Sequence, residues 1–107
     1  MQKAETIWLD GKLVPWREAN THVLTHALHY ASAVFEGERA YGGEIFALSQ
    51  HSQRLYDGAK TMDFTIPYSV AEIDQACRDT VKANKLSDCY VRPIAWRGSE
   101  MMGVSAQ

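Results

Sequence analysis

Short apolar runs separated by turn residues open the chain. Ile7-Trp8-Leu9 and Leu13-Val14 flank Asp10-Gly11, and Asp-Gly supplies the positive φ angles that a type I′ hairpin turn requires. Pro15 and Trp16 end the second strand, because proline has no N–H to give a ladder. Residues 17–25 are mixed and read as irregular, with Ala27 to Tyr30 as one helical turn. A second hairpin is predicted where Phe35 to Tyr41 and Glu44 to Leu48 flank Gly42-Gly43. Period two puts Phe35, Gly37, Arg39 and Tyr41 on one face of its first strand.

After Leu48 the period lengthens. Leu48, Leu55, Ala59 and Met62 recur at helical spacing and predict a helix over about Ser49 to Met62, with Ser49 as its N-cap. Gly58 weakens that helix and marks close packing. Ser69 and Glu72 form a capping-box pattern, and Val70, Ile73, Cys77 and Val81 make the apolar stripe of a second helix ending near Asn84. Lys82 and Lys85 suit its negative end. The last strand, Asp88 to Arg97, sorts Cys89, Val91, Pro93 and Ala95 to one face and Tyr90, Arg92, Ile94 and Trp96 to the other. Pro93 demands an edge, a bulge or a bend. The order is hairpin, hairpin, helix, helix, strand. It predicts an α+β domain, an antiparallel sheet with two helices packed on one side.

Composition narrows the class. The chain has 107 residues, 46% hydrophobic and 22% charged, one domain's worth of a globular protein. No apolar run approaches the roughly 20 residues of a transmembrane helix, and the N-terminus lacks a signal-peptide pattern. A formal charge of −2 with scattered basic residues gives no reason to expect nucleic acid. Cys77 and Cys89 have no metal-like or CxxC spacing. They read as buried thiols in a reducing compartment, the cytoplasm, with a disulfide as the alternative. Residues 99–107 carry neither a helix stop nor a closing strand, so the chain is expected to be a piece of a longer protein.

Arg39 and Arg92 each sit where the same-face neighbours are aromatic or apolar. Such an arginine holds a carboxylate or phosphate ligand, pairs internally with Glu36, Glu38 or Glu44, or is simply exposed. Arg54 borders the apolar stripe of the first helix; taken alone it reads as solvated or paired with Asp57, though it could reach a crevice and hold an anion. Tyr30 and Tyr90 read as pocket walls or as core residues with satisfied hydroxyls. His22, His26 and His29 lack a completing ligand at metal spacing and read as structural. Gly42-Gly43 opens a strand without a following Lys-Ser/Thr, so it is no phosphate loop. The residues alone describe a domain with an arginine-lined pocket. They name no reaction.

Five segments carry a resemblance: Ile7-Trp8-Leu9-Asp10-Gly11, His26-Ala-Leu-His-Tyr30, Val34-Phe35-Glu36-Gly37 with Arg39 and Tyr41, His51-Ser-Gln-Arg54-Leu55, and Tyr90-Val91-Arg92-Pro93. Met102-Gly103-Val104 adds a further signature. In this order they resemble the branched-chain amino acid aminotransferases of the fold-type IV pyridoxal-phosphate enzymes. The resemblance implies that Arg54 binds the cofactor phosphate. It implies that Tyr30, Phe35, Tyr90 and Val104 wall the substrate pocket, Tyr30 and Val104 being lent by a neighbouring subunit, so that at least a dimer is needed. Arg92 would receive the distal carboxylate of glutamate or 2-oxoglutarate, and Gly37 and Arg39 would line the same wall. Glu38 stands where relatives often carry an apolar residue; pointing away from Arg39, it is expected to have little effect.

The family's Schiff-base lysine lies in a larger C-terminal domain, and Lys3, Lys12, Lys60, Lys82 and Lys85 match none of its motifs. No catalytic residue is therefore expected within 1–107, which would be the small N-terminal domain, inactive alone. Within the fold, a D-amino acid aminotransferase or an aminodeoxychorismate lyase is the alternative. Outside it, the alternative is a non-catalytic association domain.

Overall fold

The computed structural model describes residues 4–98, so Val104 and the Met102-Gly103 signature lie outside the described residues. The first hairpin forms as its turn chemistry dictates. Strands β1 (Thr6–Leu9) and β2 (Lys12–Pro15) pair antiparallel, with Leu9 opposite Lys12. Asp10 and Gly11 both adopt positive φ, 46° and 99°. Unlike the single sheet expected, this hairpin stays a separate two-stranded sheet. It is anchored elsewhere: Asn84 Oδ1 accepts from the N–H groups of Glu5 and Thr6, and its Nδ2 donates to the carbonyls of Thr6 and Thr80. Trp8 also stacks edge-on against Tyr68 at 5.1 Å.

Helix α1 (His26–Tyr30) ends at Ala31 in the left-handed region, φ 56°. His26 N–H donates to the Gly98 carbonyl, tying the helix to the end of the last strand. The three neighbouring histidines are local braces, as expected: His22 Nδ1 accepts from Leu24 N–H, His26 Nδ1 bonds Ser32 Oγ, and His29 Nε2 meets the Val23 carbonyl.

The two long predicted strands are each broken once, opposite one another. Strands β3 (Ala33–Phe35) and β4 (Glu38–Tyr41) replace the first; β6 (Cys89–Val91) and β7 (Ile94–Trp96) replace the last. Register is unchanged across the gap: Phe35 lies opposite Ile94 and Glu38 opposite Val91. Glu36 N–H still donates to the Pro93 carbonyl at 3.0 Å. Pro93 has no N–H to return, and the ladder lapses there. Strand β5 (Glu44–Ile45) is shorter than predicted and flanks β4 across Gly42-Gly43, both at positive φ.

Helices α2 (Leu48–Thr61) and α3 (Val70–Ala83) cover one side. Ser69 and Glu72 form the predicted capping box. Ser49 is not an N-cap. Ala47, at φ 54°, holds that position, and Ser49 Oγ instead donates to Asp74 Oδ2 at 2.6 Å, joining α2 to α3. Met62 is the exposed C-cap rather than part of the stripe. Leu48, Leu55, Ala59, Ile66, Ile73 and Cys77 form the core, with Val34, Val91 and Ala95 packed against it from the strands.

Candidate functional site

Strand alternation divides β3, β4, β6 and β7 into two unlike faces. Val34, Glu36, Glu38 and Ala40 point towards the helices, while Phe35, Gly37, Arg39 and Tyr41 point to solvent. The predicted pocket residues of both strands therefore share a face, with Arg39 opposite Tyr90 in the register. That face is open in this chain: Phe35 is 54% exposed and Tyr90 50%.

Arg92 is the centre of this face. Its Nε and Nη2 both donate to Tyr90 Oη, at 3.2 and 3.1 Å. Its guanidinium carbon lies 4.4 Å from the Phe35 ring centroid. Of five N–H groups, the two given to Tyr90 leave three for a ligand. Arg39 stands over the Tyr41 ring at 6.0 Å. The internal partners weighed for these arginines, Glu36 and Glu38, are turned to the other side. Tyr30 is exposed and lies against His26, ring centroids 4.6 Å apart.

Arg54 is not on that face. It approaches from the helix side, where Glu36 meets it: Nε lies 3.0 and 2.9 Å from the two carboxylate oxygens and Nη2 2.7 Å from Oε1. The Asp57 partner considered from sequence is absent, since Asp57 Oδ1 accepts from Gln53 instead. His51 Nδ1 donates to the same Glu36 Oε1 at 2.7 Å. The Arg54 guanidinium holds the Glu36 carboxyl below the usual carboxylate range; burial pulls the other way and His51 adds to the lowering. Glu36 takes one edge of Arg54 and leaves three N–H groups on a side chain that is 72% exposed. This is an oriented anion grip. Its two organisers, Glu36 and His51, were missed because eighteen and three residues separate them from Arg54, and only folding closes the longer gap.

The described cysteines, Cys77 and Cys89, are free thiols. Burial pushes the Cys77 thiol up to about 12, so it stays protonated and unreactive. Among the described residues, no helix is long and apolar enough to cross a membrane.

The sequence profile of the amino-transferase class IV family matches residues 33–107, and the chain belongs to that family. Within the family it is 53% identical over 104 residues to the branched-chain-amino-acid aminotransferase of Pseudomonas aeruginosa, covering 94% of this chain and 34% of that protein. Two solved structures of the "T.th." branched-chain amino acid aminotransferase superpose closely. The complex with N-(5'-phosphopyridoxyl)-L-glutamate has a TM-score of 0.91 at 43% identity, and the complex with 4-methylvaleric acid 0.92 at 44%. Each covers 99% of this chain and 37% of the solved one. The chain thus spans about a third of the length of the relatives it matches.

Proposed function

We propose that residues 1–107 are the N-terminal, substrate-pocket domain of a pyridoxal-phosphate-dependent branched-chain aminotransferase. It moves the amino group between leucine, isoleucine or valine and 2-oxoglutarate, in the cytoplasm, as at least a homodimer. The observation that carries this reading is Arg92, seated between the Phe35 ring and the Tyr90 hydroxyl.

One surface has to accept both an aliphatic side chain and a charged one. The aliphatic group gains by burial against Phe35 and Tyr90, at about 25 cal/mol per Å². A glutamate side chain offers its carboxylate to the N–H groups that Tyr90 leaves free, as charge-assisted hydrogen bonds. With an aliphatic group in place, Arg92 keeps its hydroxyl acceptor and its aromatic face, so its charge is not stranded. The "T.th." relative, crystallised with a glutamate adduct and with an aliphatic acid, supports the same duality. Gly37 and Arg39 complete the wall.

Arg54 has the donor set for a phosphate, and Glu36 fixes its orientation before any ligand arrives. Pyridoxal phosphate, when bound, supplies the electron sink that makes the amino acid α-proton removable. Of the described lysines, Lys60 lies over the Tyr56 ring and Lys82 and Lys85 line a recess beside Gly43. The covalent lysine belongs to the C-terminal part of the enzyme. Val23, Leu24, Leu28 and Tyr30 are exposed, and a second copy covering them would bring Tyr30 to the neighbouring pocket.

The test is Arg92→Ala in the enzyme assembled with its cofactor domain. kcat/KM for glutamate is expected to fall about 100-fold, the loss of a charged hydrogen-bond pair, and that for leucine by less than about threefold. Equal losses for both substrates would sink the reading.

A further inference from the structure

Glu38 is a buried acid that the proposed reaction does not use. Its side chain is 1% exposed, and neither carboxylate oxygen has a hydrogen-bond partner among the described residues. Across the ladder it faces Val91, which offers nothing polar. The titratable groups around it are Glu36 in the break between β3 and β4, Cys89 on β6, His51 on α2, and Asp74 and Cys77 on α3. None neutralises it by direct contact. His51 and Arg54 are both turned to Glu36, and Arg78 on α3 is exposed. Asp74 is itself buried, with Oδ2 occupied by Ser49 and Oδ1 unpartnered.

A carboxylate removed from water, without a donor and with acids for neighbours, costs more than the same group with its proton. We propose that Glu38 is held in the native protein as an uncharged carboxylic acid, and that its ionisation loosens the seam between β4 and helices α2 and α3. The fold then carries a pH-sensitive joint beside the Glu36–His51–Arg54 cluster.

The direction agrees: burial pushes the Glu38 carboxyl up from 4.5 to about 7, opposed by His51 and reinforced by Glu36 and Asp74. Because the native value is the higher one, the folded state keeps a proton that the unfolded state has lost. Stability from this group is fully present below pH 4.5, is lost as pH rises to about 7, and is constant above that. Each pH unit within that window multiplies the unfolded-to-folded ratio by about ten, roughly 300-fold in all.

Urea unfolding of the protein and of Glu38→Gln, a neutral isostere, from about pH 5 to about pH 8 isolates the effect, since all other groups titrate in both. The ratio of their unfolding constants is expected to widen about tenfold per pH unit up to neutrality, in favour of the variant, and then hold steady. Parallel curves overturn the proposal. Where the variant fails to fold, the Glu38 side-chain carboxyl ¹³C signal of the wild-type protein decides: a midpoint near 7 supports the joint, and one near 4.5 removes it.

Discussion

A methyl group on Gly37 would stand 2.8 Å from Tyr90 Oη. The absent side chain is therefore what lets Tyr90 lie across the ladder and hold Arg92. Gly37→Ala pushes the tyrosine aside, and Arg92 loses its acceptor. In the assembled enzyme kcat/KM for glutamate is expected to fall about tenfold more than for leucine. The substitution should cost little further in a Tyr90→Phe background, where the contact is relieved. Additive effects in that double-mutant cycle would refute the coupling.

Glu36 and Glu38 sit two positions apart and titrate with opposite consequences. Arg54 lowers the Glu36 value below 4.5. For a depressed acid the stabilisation is present above its unfolded value and is lost as pH falls through the native one. Glu36→Gln is expected to flatten the stability loss below about pH 4.5 while leaving the neutral range to Glu38. Urea midpoints along the acid limb report it, and an unchanged acid limb would contradict the pairing.

Asn84 holds the N-terminal hairpin to α3 with three hydrogen bonds, two accepted and one donated, while a fourth returns to Thr80 on its own helix. Asn84→Ala should lower the unfolding free energy by about 2 kcal/mol, the scale of several part-buried bonds left to find water. The amides of Glu5 and Thr6 should lose hydrogen-exchange protection first. Protection retained there would show that Trp8 and Tyr68 suffice to seat the hairpin.

Arg54→Gln removes the charge but not the helix position. Retention of pyridoxal phosphate by the assembled enzyme is expected to weaken by about 10- to 100-fold, as for a lost charge-assisted bond. Equilibrium dialysis measures it. Glu36→Gln should reproduce part of that loss by freeing the guanidinium to turn; wild-type retention in both variants would remove Arg54 from the phosphate site.

The features legible in the chain were those decided within a few residues. Asp10-Gly11 and Gly42-Gly43 take positive φ because their own backbones permit it, and Ser69 with Glu72 caps α3 because both partners lie within one turn. Alternation sorted Phe35, Gly37 and Arg39 to one face of their strand and Tyr90 and Arg92 to one face of theirs; the pairing, whose register survives the lapse at Pro93, put the two sets together. Ser49 shows where local reasoning stops: its cap pattern was sound, yet Asp74 on another helix claimed the hydroxyl. Arg54 had Asp57 nearby in the chain and found Glu36, eighteen residues away, on the helix side of the sheet instead. Glu38 was correctly turned away from Arg39, but its burial was set by two helices closing over β4. Turns, caps and strand faces could be read residue by residue, because φ preferences and side-chain period act at short range. Which charges met, and which acid was left without a partner, emerged only with the packed fold, because pairing and desolvation depend on what distant segments bring to the same place.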